Sequence, residues 1–266
     1  SKITKPIRDR NIPLCVVFGN HDGECGYHTE FQMMMYHEYA DCRSNFNDAD
    51  VYGCGNCCVT IKSSKSDKDA FAVWLIDSND YQKTRDGGFG YDCVHDDQIE
   101  WYTNDIKNIH SVSPNTRIGF MFHIALHAFE NAYEKYGYTR DRSSGVFPLI
   151  IDETDGTSTD FGIIMYPIDN WDKDNSVWQG FKNLGVDSIL VGHDHEVSAS
   201  VVYDGVRCQF GLKSSTYDSN IYVNENGKLV KSWVPAGTPM IGGTVIVCVL
   251  LMYVVDILSK HTPYNL

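Results

Sequence analysis

The sequence predicts an α/β fold, an α+β sandwich in which helices flank a mixed sheet. Four uninterrupted apolar runs predict strands that are buried on both faces, and each run ends abruptly in polar residues. Two segments between the runs repeat apolar residues at helical spacing. A chain of 266 residues, 42% of them hydrophobic, is long enough to bury the core that such a fold needs.

The predicted strands are residues 13–18, 71–76, 118–122 and 188–191. The polar residues that follow them are Gly19-Asn20-His21-Asp22, Asp77-Ser78-Asn79-Asp80, His123 and Gly192-His193-Asp194-His195. Ligands of α/β folds bind where the carboxyl ends of strands meet loops. We therefore expect the four polar clusters to converge on one crevice.

Two helices are predicted between the strands. The first contains Ile99, Tyr102, Ile106 and Ile109, behind Asp96 and Asp97 as candidate N-caps. The second contains Val177, Trp178, Phe181 and Leu184, and Gly185 is expected to end it in a left-handed conformation. Residues 3–10 are typical of the end of a further helix, which predicts that the chain begins inside a domain.

The charge of the chain restricts its partners. It has 22 Lys and Arg against 35 Asp and Glu, a formal net charge of −13, and no basic run. This composition carries no nucleic-acid-binding signature. It is compatible with a phosphate substrate, because a bound metal can reverse the local field.

The cysteines favour a structural role. There are nine, and Cys54-Gly-Asn-Cys57-Cys58 contains a CxxC, which suits half of a zinc site or a redox pair. The chain has no second CxxC, and Val59-Thr60-Ile61 continues the segment as a strand. We therefore interpret these three cysteines as core or strand residues.

The polar clusters supply metal-binding chemistry. Asn20, His21, His123, His193 and His195 offer one amide oxygen and four imidazoles. Neutral imidazole is a common ligand of zinc, iron and manganese, and a mixed set of nitrogen and oxygen donors suits such metals. Five such residues after apolar strands are not expected of histidines that merely form surface hydrogen bonds.

These motifs resemble those of a known family. Gly19-Asn20-His21-Asp22, then His123, then Gly192-His193-Asp194-His195 is similar in order and separation to the signature of the calcineurin-like metallophosphoesterase superfamily. The surrounding residues, Asp77-Ser78 and Gly90-Tyr91-Asp92 among them, resemble its purple-acid-phosphatase-like branch. The resemblance covers roughly residues 5 to 235, and three motifs together are specific.

The resemblance implies two facing mixed β-sheets flanked by helices, with two divalent or trivalent ions of Fe, Zn or Mn at the strand ends. It implies a metal-dependent hydrolase of phosphate esters, phosphomonoesterase-like, with a metal-bound hydroxide as the nucleophile. Asn20, His123 and His193 would bind the second metal, and His195 would bind the first. His21 would orient the phosphate and protonate the leaving oxygen as the catalytic residue, supported by Asp22.

The chain departs from the family at two motifs. Family members begin with D-x-H and G-D, which supply the first metal and a bridging Asp, and neither motif occurs here. The resemblance places both upstream of residue 1, so we expect a fragment that lacks its first strands and shows little or no turnover alone. The alternatives are a catalytically impaired pseudoenzyme, or metal- or phosphate-binding module, and a membrane-tethered ectodomain.

The C-terminal residues 239–266 form a separate apolar segment after the phosphoesterase domain expected at 1–238. Residues 241–255 are uncharged, and a helix of that length spans about 22 Å, short of the roughly 30 Å hydrocarbon core. Residues 239–258 come near the length that is needed. A closing strand and a membrane anchor both fit this segment, and no signal peptide is apparent in the sequence.

Overall fold

The computed structural model describes residues 4–44, 51–83, 87–152, 159–170, 175–211, 220–225 and 228–233. The described strands are β1 (Cys57–Lys62), β2 (Asp69–Leu75), β3 (Tyr81–Lys83), β4 (Phe89–Tyr91), β5 (Arg117–Phe122), β6 (Leu149–Asp152), β7 (Phe161–Ile164), β8 (Val186–Val191), β9 (Val197–Tyr203), β10 (Val206–Phe210), β11 (Asn220–Glu225) and β12 (Lys228–Trp233). The helices are α1 (Lys5–Arg8), α2 (Thr29–Tyr39), α3 (Asp96–Val112), α4 (Ala128–Glu134) and α5 (Asn175–Asn183), with short 3₁₀ turns at Asp22–Cys25 and Arg142–Ser144.

One large mixed sheet organises the fold. Eight strands pair in the spatial order β1-β2-β5-β8-β10-β9-β7-β6, and two hairpins, β3-β4 and β11-β12, form sheets of two strands. Strands β2, β5, β8 and β10 are parallel, and the flanking strands pair antiparallel. The prediction of a mixed α/β fold is confirmed at this level.

The parallel strands bring three of the predicted polar clusters to the same edge of the sheet. Leu75 of β2 is paired with Met121 of β5, and Met121 is paired with Leu190 of β8. Because the three strands run in the same direction and end in register, the residues after each of them meet at one edge. The strands expected at 71–76, 118–122 and 188–191 are confirmed.

The strand expected at 13–18 was wrong. In the described residues this segment makes one isolated parallel bridge, between Leu14 and Cys42, and no ladder. Ser44 Oγ accepts a hydrogen bond from the backbone N–H of Val16 at 2.8 Å and donates to its carbonyl at 3.0 Å. A side chain therefore satisfies the backbone of Val16 where a neighbouring strand was expected.

The two predicted helices are confirmed, with a correction at the first N-terminus. The N-cap of α3 is His95, and the two aspartates lie in the first turn. Gln98 Oε1 accepts the His95 N–H at 2.7 Å as one half of a capping box. Gly185, just beyond α5, has φ 71°, as expected of a glycine that ends a helix.

Aromatic packing joins the helices to the sheet. The Phe120 ring of β5 lies 5.0 Å from the ring of Tyr102 on α3 and 4.4 Å from that of Phe181 on α5. All three residues are almost completely buried. This contact fixes both helices on one face of the sheet and holds the strand that leads to His123.

The C-terminal prediction lies outside the described residues, since the segment 239–266 is not among them. Within the described part of the chain, no helix combines the length and the apolar character that crossing a bilayer requires.

Candidate functional site

Three of the predicted site residues meet at the edge of the sheet. Asn20 Oδ1 lies 2.9 Å from His123 Nε2 and 3.1 Å from His193 Nδ1. Asn20 precedes His123 by 103 residues and His193 by 173 residues, so the contact depends on the whole fold. Without a cation, these two contacts are hydrogen bonds from the imidazoles to the amide oxygen.

Two glycines make room for the His123 ring. A Cβ on Gly19 would lie 2.8 Å from His123 Cε1 and Nε2, and one on Gly192 would lie 3.1 Å from His123 Nδ1. The ring is thus enclosed by the backbones of the loops that carry Asn20 and His193. The glycines of the GNHD and GHDH motifs are required here because of close packing.

Backbone contacts hold the loops in place. The buried Ser78, after β2, accepts hydrogen bonds through Oγ from the N–H of His123 at 3.2 Å and of Ile124 at 3.0 Å. The Gly192 N–H donates to the His123 carbonyl at 3.0 Å. His193 has φ 74°, an uncommon conformation for a residue with a side chain, which the surrounding contacts must maintain.

The electrostatic environment keeps the two histidines neutral. Burial lowers the pKa of His123 to about 4 and that of His193 to about 3. His21 and His195 lower both pKa values further, whereas Asp22 opposes the shift at His123. At neutral pH both imidazoles therefore carry a lone pair that a metal ion can use.

His21 and Asp22 lie beside this group, and each has a different hydrogen-bond partner. His21 Nδ1 is 2.8 Å from Glu24 Oε1, and both side chains are 62% exposed. Asp22 Oδ2 accepts a hydrogen bond from the Gly19 N–H at 2.6 Å. The carboxylate in contact with His21 is thus Glu24, while Asp22 supports the loop that carries Asn20.

His195 lines an open cavity near the trio. It is exposed and lines a cavity of about 270 Å³ together with Arg142 and Tyr166. Asp194 lines the same cavity, and burial raises the pKa of its carboxyl to about 8.

The trio suits a metal ion in donor type. Nitrogen ligands lie roughly 2.0–2.1 Å from zinc, so two ligands of a tetrahedral site are about 3.4 Å apart, and the spacings of 2.9 and 3.1 Å found here would have to widen by a few tenths of an ångström around the ion. Among the residues that the structure describes, no three His, Cys, Asp or Glu side chains are grouped to hold a metal. Asparagine supplies the third donor of the trio. For the first metal position, His195 is the single predicted ligand in this chain.

Sequence reasoning missed three residues of the site. Tyr81 accepts a hydrogen bond from Asn20 Nδ2 at 2.9 Å, and the Tyr91 ring packs edge-on against His193 at 4.4 Å between centroids. Glu24 is the third. The sequence signal for Glu24 is its three-residue spacing from His21, and Tyr91 was noted only as part of the family resemblance. The contacts of both tyrosines depend on how the β3-β4 hairpin folds over the site.

Comparison with known proteins adds no assignment. No protein-family model matches this chain, and no curated protein matches it either.

Proposed function

We propose that this chain carries the metal-binding part of a metal-dependent phosphate-ester hydrolase of the calcineurin-like, purple-acid-phosphatase-like type. The observation that carries the proposal is the meeting of Asn20 Oδ1 with His123 Nε2 and His193 Nδ1. Three donors from distant parts of the sequence share one point, and both imidazoles are neutral at physiological pH. On this proposal, the eight-stranded sheet belongs to a fold of two facing mixed sheets, within a domain that spans residues 1–238.

The residues would act as follows. Asn20, His123 and His193 would hold one cation, and His195 would contribute to a second. Bound cations supply Lewis-acid chemistry toward a phosphoryl oxygen and acidify water. His21, exposed beside the trio, would donate a proton to the leaving oxygen, and Glu24 would hold its ring through Nδ1. Because a carboxylate can only accept, Nδ1 carries the proton that faces Glu24, and His21 would act as the imidazolium, with a second proton on Nε2 to give to the leaving oxygen.

A second candidate function is a binding module for one metal ion and phosphate without hydrolysis. The observation that favours it is the unequal ligand supply, because three of the predicted ligands serve one metal position and one of them, His195, serves the other. Both candidate functions require the same trio. They differ in turnover.

The trio is tested by titrating the chain with Zn²⁺ or Mn²⁺ in a calorimeter. We expect Asn20→Ala, His123→Ala and His193→Ala each to lower the affinity by at least about tenfold, since each removes a ligand. The matched control is His127→Ala, an exposed histidine only four residues beyond His123. Circular dichroism and the unfolding midpoint establish that each variant is folded.

The proposal fails if the three variants bind either metal as tightly as the parent chain, or if His127→Ala weakens binding as much as they do. The metal-loaded chain is then incubated with p-nitrophenyl phosphate. Release of nitrophenol that disappears in His193→Ala supports the hydrolase, even at the low turnover expected of this chain alone, and phosphate binding with no detectable release supports the module.

A further inference from the structure

The amide of Asn20 has a partner on each side. Its Oδ1 faces His123 and His193, and its Nδ2 donates a hydrogen bond to Tyr81 Oη at 2.9 Å. Asn20 is buried, at 2% exposure, so its side chain has little access to solvent. The orientation of this amide therefore depends on its hydrogen bonds to other side chains and not on solvent.

The β3-β4 hairpin contacts two members of the trio at once. Tyr81 and Tyr91 are directly paired across the hairpin, and their rings stack with centroids 5.6 Å apart. Tyr81 contacts Asn20 through its hydroxyl group, while Tyr91 contacts His193 through its ring. The two stacked tyrosines therefore pack together against Asn20 and His193.

The chemistry of an amide makes this contact decisive. Only Oδ1 can bind a cation, because the NH₂ group is a donor without an available lone pair. A half-turn of the amide would direct the NH₂ group at the histidines. When Oδ1 faces the histidines, Nδ2 must face Tyr81, and the phenolic oxygen is the acceptor that it meets. Removing that oxygen leaves a buried donor without its partner.

We propose that Tyr81 is a positioning residue of the metal site: its hydroxyl group holds Asn20 with Oδ1 toward His123 and His193. The inference rests on the proposed function, because it assumes that the trio binds a cation. It goes beyond that function by assigning the orientation of the oxygen ligand to one residue outside the three sequence motifs.

The first test compares Tyr81→Phe with Tyr91→Phe by titration with Zn²⁺. Each variant keeps its aromatic ring and loses one hydroxyl group from the same hairpin. The Tyr91 hydroxyl makes no hydrogen bond to any residue in the described part of the chain. We expect Tyr81→Phe to lower the zinc affinity by about 10–100-fold, as for other residues that orient a metal ligand. Tyr91→Phe should bind zinc as the parent does.

The second test repeats the change in an Asn20→Asp background. A carboxylate presents an oxygen in either orientation, so it does not need Tyr81 to choose between its two sides. The Tyr81 hydroxyl would also draw electron density from the carboxylate, and its loss should not weaken metal binding. We therefore expect the double variant to bind zinc at least as tightly as Asn20→Asp alone. Loss of the Tyr81 hydroxyl group should thus weaken zinc binding when residue 20 is Asn and not when it is Asp. A general loss of packing would weaken binding in both backgrounds.

Each outcome decides a different point. Two outcomes overturn the role of Tyr81, provided that His193→Ala abolishes zinc binding. In the first, Tyr81→Phe leaves the zinc affinity unchanged. In the second, it lowers the affinity equally in the Asn20 and Asn20→Asp backgrounds. Unchanged affinity in His193→Ala overturns the proposed function and this inference with it. NMR gives a measurement without metal. The chemical shifts of the Asn20 side-chain NH₂ group should change in Tyr81→Phe and remain unchanged in Tyr91→Phe.

Discussion

Gly19→Ala should disrupt the site by steric contact alone. The new Cβ would lie 2.8 Å from His123 Cε1 and Nε2 and 3.0 Å from Cδ2. Gly19 does not have a positive φ, so alanine fits its backbone conformation. The effect of the substitution is therefore confined to the His123 ring.

The size of the effect follows from these distances. An ordinary van der Waals contact begins near 3.4 Å, so the ring must move by roughly 0.6 Å. Gly192 lies close to His123 Nδ1 and restricts that movement. We expect the overpacked site to lower the free energy of unfolding by about 1–3 kcal/mol. Moving one ligand away from Asn20 Oδ1 should lower the zinc affinity by about tenfold, or about 1.4 kcal/mol.

The matched control for this prediction is Gly23→Ala, in the same loop. A Cβ on Gly23 would meet no atom within 4 Å, and Gly23 also lacks a positive φ. Urea unfolding and zinc titration of the parent and both variants provide the assay. Equal effects of the two substitutions on affinity would refute the packing argument, as would a Gly19→Ala variant that behaves like the parent.

Three further predictions concern other residues. In a metal-loaded form with measurable turnover, His21→Ala should keep its metal while kcat falls about 10²–10⁴-fold. The fall should be largest for alkyl phosphates and smallest for nitrophenyl esters. An equal fall for all leaving groups would contradict a proton-donor role. Burial raises the pKa of Asp77 to about 6 in spite of hydrogen bonds from two backbone N–H groups. Its contribution to stability is present below pH 4 and lost as the pH rises through about 6, by about 3 kcal/mol. Urea unfolding at pH 4 and pH 7 should show this loss in the parent and not in Asp77→Asn, and identical pH dependence would contradict it. Burial raises the pKa values of the buried Cys54 and the half-buried Cys58 to about 12. Both thiols should therefore react slowly with a disulfide reagent while the exposed Cys25 reacts quickly. Rapid reaction of Cys54 or Cys58 would contradict this prediction.

The sequence predicted the strands and the cysteine segment whose structure follows from the residues of the segment itself. The apolar runs before Asp77, His123 and Gly192 became β2, β5 and β8, which lie inside the sheet, where a strand that is covered on both faces must be apolar on both. The CxxC segment is also as expected, since Cys57 and Cys58 begin β1 and Cys54 is buried in the bend before it. The interpretation of all three as core or strand residues is confirmed.

Predictions failed where a hydrogen bond from another side chain, near or distant in the sequence, decided the structure. The apolar run that contains Val16 has the pattern of a strand, yet Ser44 binds its backbone from 28 residues away. His95 became the N-cap of α3 although aspartate is commoner at that position, because Gln98 binds the His95 N–H in return. The contact of Tyr81 with Asn20 spans 61 residues and has no local signature.

The most direct test of the account is the location of a bound metal ion. Crystals of the chain grown or soaked with Zn²⁺ or Mn²⁺ would be measured at wavelengths on both sides of the absorption edge of the metal. The account predicts an anomalous peak within about 2.0–2.2 Å of Asn20 Oδ1, His123 Nε2 and His193 Nδ1. A peak at other side chains, with the trio still joined by its hydrogen bonds, would contradict it.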